Sequence, residues 1–266
     1  MDLLSDAFRG WKENDESTAG RWLAANFDKL TEAQQQKLKP FNLPRAISDA
    51  VAYAADQDVP TRESTLRAIA RREVGSPSAV RDFLAETAAK MPDAFKSASD
   101  AIASEVYQSG DFSSAMSLMQ TLGDLPAAER LQVAESIAWQ PLLANTRSTP
   151  LPAVSDWLLE QTPDEKRGLV MSRFVGRWAT RDFNAAGEWI RQQSQANWRD
   201  EVIDHYAQAI LPMEPKSAVD WAASISDAQM RAASIAKIYE QWSSNDAAAA
   251  EKYFGDRGGA EPEPQR

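Results

Sequence analysis

The sequence predicts an all-α protein, and three observations carry that prediction. The chain of 266 residues is dominated by the helix formers Leu, Ala, Gln, Glu and Arg, whereas Val- and Ile-rich runs with Gly turns are scarce. Apolar residues recur along it with helical spacing. One pattern of aromatic, acidic and small residues also returns far along the chain, as WATRDFNAAGEW and then WSSNDAAAAEKY. We therefore expect helices throughout, arranged as repeats.

The repeat is clearest at two aromatic positions and one arginine position. Positions 157, 189, 221 and 253, which are 32 apart, are occupied by Trp157, Trp189, Trp221 and Tyr253. The same interval separates Trp178, Ile210 and Trp242, and it separates Arg167, Arg199 and Arg231. Two separate sets of periodic positions indicate that each repeat contains two helices. We name them the first helix, which contains Trp178, and the second helix, which contains Trp189.

The first helix carries an amphipathic stripe. In one copy the stripe consists of Met171, Phe174, Val175 and Trp178. This i, i+3, i+4, i+7 spacing is typical of a helix that buries one face. Asp182 follows the stripe, and Asp246 and Ser76 occupy the same position in other copies. Such side chains cap a helix by accepting a bond from a free backbone N–H, so we predict two helices joined at one tight corner.

Counting seven residues back from the aromatic of each second helix locates the repeat units. The units start near positions 15, 46, 76, 111, 150, 182, 214 and 246, with insertions expected near 85–95 and 140–149. One hairpin cannot bury both of its faces without neighbours. We therefore predict one right-handed α-solenoid over residues 1–254, with about eight antiparallel helical hairpins and a length of roughly 80 Å. A disordered tail is expected over residues 255–266.

These motifs resemble tetratricopeptide-type helical repeats, and more closely the WAxxDPxAAxxW repeats of uncharacterised bacterial proteins. WATRDFNAAGEW and MEPKSAVDW carry the resemblance, which extends over residues 2–254. The chain departs from the tetratricopeptide pattern proper in its period and in lacking a Gly after the first Leu. The resemblance implies a scaffold for protein contacts, and it supplies no catalytic residue.

Composition excludes several kinds of site. With no Cys and one His, the chain cannot form disulfides, thiolate catalysts, zinc–thiolate sites or histidine metal clusters. Its formal net charge of −10 repels nucleic acid and anionic lipid at long range. The sequence has no membrane-spanning apolar run, phosphate loop, HExxH motif or nucleophile elbow. We therefore expect no enzyme activity, no cofactor, no metal, no membrane insertion and no nucleic-acid partner.

Three basic residues occupy equivalent positions on successive first helices, outside the apolar stripe: Arg173, His205 and Lys237. Stacked repeats would place them in a row that could take an acidic peptide or a carboxylate. A solvated helix face is the alternative interpretation of the same pattern. Trp139 and Trp198 lie outside the periodic core positions, and we predict that they belong to a contact surface for a partner.

A row of acidic residues marks the second helices. Asp156, Glu188 and Asp220 each precede one of the periodic arginines by 11 residues, and Arg21 and Glu32 have exchanged signs at the same interval. This exchange predicts a structural ion pair across each hairpin, worth about 0.2–1 kcal/mol.

The function predicted from these features is a noncatalytic scaffold that binds a protein or peptide along its concave side. One alternative is an accessory region of a larger envelope enzyme whose catalytic domain lies outside this chain. Another is a structural envelope component. Because the first and last helices carry the ordinary apolar stripe and no polar cap, we expect the chain to be part of a longer protein.

Overall fold

The computed structural model describes residues 3–38, 43–109, 112–143, 150–193 and 196–256. Every regular element in these ranges is a helix, and the same ranges contain no β-strand. The prediction of an all-α protein is therefore confirmed. The chain divides into two compact units, Met1–Ile137 and Ala138–Arg266.

The first unit contains helices α1 to α8 and most of α9. Their bounds are α1 (Leu3–Asn14), α2 (Glu16–Asn26), α3 (Glu32–Leu38), α4 (Ile47–Ala55), α5 (Val59–Glu73), α6 (Pro77–Lys90), α7 (Phe95–Ser109), α8 (Phe112–Thr121) and α9 (Ala127–Leu143). Helix α1 packs against α2 and α3, and α4, α5 and α6 each pack against the next two helices. Neighbours in sequence are therefore neighbours in space.

The second unit follows the same scheme. Its helices are α10 (Leu151–Gln161), α11 (Arg167–Ala179), α12 (Phe183–Gln192), α13 (Arg199–Ile210), α14 (Pro215–Ala223), α15 (Ala228–Asn245) and α16 (Ala247–Asp256). Each packs against its successor, and the first helices α11, α13 and α15 also pack side by side in that order. Helix α16 continues to Asp256, so the predicted tail does not start at 255, and residues 257–266 lie outside the described ranges.

The second helices start where the repeat predicts them. Each begins one residue after a predicted position, at Glu16, Ile47, Pro77, Phe112, Leu151, Phe183, Pro215 and Ala247. The insertion predicted near 85–95 is a lengthened α6 of 14 residues, against 10 in α12, followed by a short 3-10 turn over Pro92–Ala94. The second predicted insertion falls largely on residues 144–149, outside the described ranges.

In three hairpins an Asp with one shared backbone conformation precedes the second helix and turns the chain. Its φ and ψ are −148° and 84° at Asp182, −152° and 82° at Asp246, and −151° and 80° at Asp15. The backbone N–H of Asp182 donates to the Trp178 carbonyl at 3.0 Å. The three carboxylates accept from the backbone N–H three residues on, at 2.9 Å for Asp182 and 3.0 Å for Asp246 and Asp15. The predicted corner and its caps are confirmed.

This corner brings an aromatic ring of the first helix against one of the second. The pairs are Trp11 with Trp22 at 5.6 Å between ring centroids, Trp178 with Trp189 at 6.4 Å, and Trp242 with Tyr253 at 5.3 Å. Trp178 and Trp189 are almost fully buried, and so are Trp157, Trp221 and Trp242. The periodic Trp residues of the second unit are therefore core residues, as predicted, whereas Trp22 of the first unit is 40% exposed.

The acidic residues of the second helices bond to aromatic rings of the next repeat. The Asp156 carboxylate accepts a hydrogen bond from Trp189 Nε1–H at 2.7 Å, and the Asp220 carboxylate accepts one from the Tyr253 hydroxyl at 3.0 Å. Both bonds join a second helix to the following second helix. These two bonds therefore hold neighbouring repeats together, and they fix the buried Trp189 ring and the half-buried Tyr253 ring.

The predicted ion pairs Asp156–Arg167 and Glu188–Arg199 do not form. Glu188 pairs with Arg191 on its own helix, with 3.4 Å between Oε2 and a guanidinium nitrogen. The two periodic arginines turn toward the end of the preceding second helix, away from the acids along its side. This part of the sequence interpretation is wrong.

Those arginines belong to a set that caps second helices. Each lies near the start of a first helix and donates to one or two carbonyls at or just beyond the end of the preceding second helix, at 2.7–3.4 Å. The set comprises Arg62, Arg130, Arg167, Arg199 and Arg231. Carbonyls at a helix end lack partners within the helix, so these bonds satisfy them. The side chain of Arg21 lies outside what the structure describes.

Gly187 on α12 lies where two aromatic side chains of the next repeat approach. A Cβ at this position would be 2.7 Å from the Tyr206 hydroxyl oxygen and 3.1 Å from Trp221 Cζ2. That hydroxyl donates to the Phe183 carbonyl at 2.8 Å, and the Tyr206 ring meets Trp221 edge-on at 4.8 Å between centroids. The Tyr206 ring is thus held by Phe183 and Trp221, and a Cβ at position 187 would force it to shift.

Gly187→Ala should therefore lower the free energy of unfolding by about 1 kcal/mol, because overpacking outweighs the gain in helix propensity. Gly176→Ala is the matched control. A Cβ at Gly176 would meet its nearest neighbour at an ordinary 3.7 Å, so this variant should gain about 0.5–1 kcal/mol. Urea unfolding followed by far-UV circular dichroism measures both. Equal shifts in the two variants would contradict the packing described for Gly187.

Tyr206 should make stability fall at alkaline pH. Burial raises the pKa of its hydroxyl from 10.0 to about 12. The unfolded chain therefore releases this proton near pH 10 while the folded chain keeps it, so stability is lost as pH rises between these two values. Absorbance titration of tyrosinate should show a late-ionising group that Tyr206→Phe removes. An unchanged late phase in that variant would contradict the assignment.

Candidate partner-binding surface

The three basic residues of the predicted row lie on three successive first helices. Arg173 is on α11, His205 on α13 and Lys237 on α15, and all three side chains are exposed. We call these three residues the basic row. Their helices pack side by side in the second unit, so the row runs across the helices and not along one of them.

Contacts between these helices repeat from one pair to the next. A Cβ at Gly176 on α11 would lie 3.7 Å from the His205 carbonyl oxygen and 3.8 Å from its Cβ. One period later, Lys237 Nζ donates to the Gln208 side-chain oxygen at 2.5 Å. Positions 176 and 208 are equivalent, as are 205 and 237. Equivalent positions therefore meet at both junctions, although α11 and α13 pack together more extensively than α13 and α15.

No member of the basic row forms an ion pair with the described part of the chain. Lys237 is bound by the neutral amide of Gln208, and the ring Nδ1 of His205 lies 3.2 Å from the Glu201 carbonyl oxygen on its own helix. A carbonyl oxygen only accepts, so this contact places a hydrogen on Nδ1, and Nε2 can donate to an acidic ligand only from the doubly protonated imidazolium. Arg173 has no hydrogen-bond partner among the described residues. Three side chains that can meet acidic groups thus remain available.

Acidic side chains are present on the same helices but are turned elsewhere. Glu201 extends toward α11, where its carboxylate occupies the space that a Cβ on Gly168 would need. Asp204 accepts a hydrogen bond from the Gln208 side-chain nitrogen at 2.8 Å. Gln208 therefore bonds to Asp204 through its amide nitrogen and to Lys237 through its amide oxygen. This amide separates the lysine from the nearest carboxylate of α13.

Trp139 of α9 packs against α11, the helix that carries Arg173. Its ring is half-buried and meets Phe174, the neighbour of Arg173 in sequence, edge-on at 6.1 Å between centroids. Leu169, one turn before Arg173 on α11, is 49% exposed. Apolar area therefore adjoins the basic end of the row. The sequence analysis missed Leu169 and Gln208, although their period-32 alignment with exposed positions of α13 and α15 would have placed them here.

Trp198 occupies a different environment. It is 7% exposed, and its ring stacks on Trp189 at 6.1 Å between centroids with an interplanar angle of 29°. The ring fills space between α12 and the start of α13, so little of it is left for a ligand. This burial argues against Trp198 as a partner-binding residue.

The described residues contain no group of three or more His, Cys, Asp and Glu arranged to hold a metal ion. In the same ranges, no helix combines the length and the apolar character needed to cross a membrane. No protein-family model, curated protein or solved structure matches the chain. The surface around the basic row must therefore be interpreted from its own geometry.

Proposed function

We propose that this protein is a noncatalytic helical-repeat scaffold that binds a protein or peptide across the basic row and its apolar edge. One observation carries the proposal: Arg173, His205 and Lys237 are exposed at equivalent positions of packed helices and have no carboxylate partner among the described residues. Helices held by their own packing present such groups without an ordering cost for the protein backbone on binding, which favours a weakly structured partner.

We also propose that the helix pairs continue through the chain as one right-handed α-solenoid of about eight hairpins. The common corner geometry at Asp15, Asp182 and Asp246 supports this architecture, as do the regular starts of the second helices. The resemblance to tetratricopeptide-type repeats agrees with it. In this arrangement the first helices line the concave side, where the basic row lies.

Small-angle X-ray scattering tests the architecture. A compact domain of 266 residues has a radius of gyration of about 18 Å. A rod about 80 Å long has one of about 23 Å, so the solenoid should give a value clearly above the compact one. Monodispersity checked by light scattering serves as the control. A value at the compact limit would contradict a continuous solenoid.

Site-specific photo-crosslinking tests the binding function. A photoreactive amino acid at position 205 should form adducts with a protein partner in an extract of the source organism, and excess unmodified chain should compete them away. Position 188, exposed on a second helix, is the matched control and should give none of these adducts. Identical adducts from both positions, or adducts that resist competition, would contradict binding across the basic row.

A further inference from the structure

The spacing of the basic row restricts the shape of an acidic ligand, if the proposed function holds and a partner binds there. Its three side chains come from three adjacent helices, so consecutive members are separated by one interhelix step. Packed helices lie 8–10 Å apart. Helices α11 and α13 are closely packed at Gly176, because a Cβ there would lie only 3.7 Å from the facing carbonyl oxygen. A matching ligand therefore presents acidic groups about 9 Å apart.

Two extended backbone conformations can be compared with this step. A β-strand rises about 3.3 Å per residue and alternates its side chains between two faces, so same-face groups come at about 6.6 or 13 Å. A polyproline II helix rises about 3.1 Å per residue with three residues per turn. Every third side chain then lies on one face at about 9 Å. Only the polyproline II helix matches both the spacing and the face.

The apolar edge of the surface suits the same ligand. Trp139 is half-buried with its ring against Phe174, and Leu169 is 49% exposed one turn from Arg173. Aromatic and apolar side chains of this kind bind the rings of proline-rich segments, whose preformed helix loses little entropy on binding. Charge and apolar contact thus lie on one side of α11.

We infer that the surface binds a proline-rich, acidic protein segment in the polyproline II conformation, with a carboxylate at every third residue. Successive carboxylates accept hydrogen bonds from Arg173, from Nε2–H of the His205 imidazolium, and from Lys237. A protein segment fits better than a membrane or nucleic acid, because the formal net charge of −10 opposes a large polyanionic surface. A short segment brings only the few charges that the row can meet.

Two synthetic peptides of identical composition test the inference. The first repeats Pro-Pro-Glu three times, and the second contains the same residues with its three glutamates adjacent. Both are capped at their ends and labelled for fluorescence anisotropy, and the ionic strength is kept constant. The first peptide should bind at least about fivefold more tightly, because only its carboxylates match the row; this corresponds to about 1 kcal/mol.

Variants of the row identify the contacts. Arg173→Ala and Lys237→Ala should each weaken binding of the Pro-Pro-Glu peptide by about fivefold, the upper range for an exposed charge pair. Lys216→Ala, which removes an exposed lysine from α14 in the same unit, should leave binding unchanged. Far-UV circular dichroism verifies that each variant remains folded, as expected for exposed positions.

The outcomes separate this inference from the proposed function. Equal binding of the two peptides, or equal loss in Lys216→Ala and Arg173→Ala, overturns the inference in favour of nonspecific charge attraction. If neither peptide binds while crosslinking from position 205 still captures a competed partner, the inference fails and the proposed function stands. Vesicles of anionic lipid that bind more tightly than the first peptide, with the same loss in Arg173→Ala, overturn it in favour of a membrane surface.

Discussion

One corner residue, at Asp15, Asp182, Glu214 and Asp246, determines how four of the hairpins are built. Its backbone N–H still bonds to the carbonyl four residues earlier, so it closes the last turn of the first helix, and its ψ near 80° sends the second helix in a new direction. The Asp side chain adds a cap but is not essential to the geometry. At Glu214 the same backbone bond forms at 2.8 Å without a side-chain cap. The corner therefore fixes which aromatic positions face each other, and the core follows from it.

The sequence correctly predicted the features that depend on local chemistry. It failed for contacts that depend on how one hairpin is placed against the next. Helix caps, apolar stripes and helix starts depend on residues within about a dozen positions of one another. The 32-residue period therefore located the second helices well. Asp156 was expected to meet Arg167 because a hairpin was considered alone; in the structure it bonds to Trp189, a full repeat away. Trp198 was expected at the surface because it breaks the period, yet it stacks on a periodic ring. Both errors concern contacts between repeats. The spacing of residues along the sequence does not show how the helices of neighbouring repeats cross.

The acidic position of the second helix shows that different residues can hold the aromatic ring of the next repeat in place. Asp156 and Asp220 accept hydrogen bonds from the polar edge of the next ring, Trp189 or Tyr253. Glu188, at the equivalent position, pairs with Arg191 instead, and the Arg191 guanidinium lies 5.0 Å from the centroid of the Trp221 ring. The ring is therefore covered by a cation and not held by a carboxylate. Because the repeat tolerates either solution, identity at this position varies while packing is preserved.

The basic row has no carboxylate partner among the described residues, whereas other basic residues of the chain are paired. Acidic residues outnumber basic ones by 39 to 29, so carboxylates are plentiful. Arg71 shows what usually follows on neighbouring first helices: it pairs with Glu105 at 3.0 Å, and this hydrogen bond raises the pKa of its guanidinium. Arg199 shows the other use, as a cap for the preceding helix. Arg173 does neither among the described residues, although it lies on a well-packed helix. A ligand carboxylate arriving there displaces water and no internal partner, so no ion pair of the folded protein has to be broken for binding.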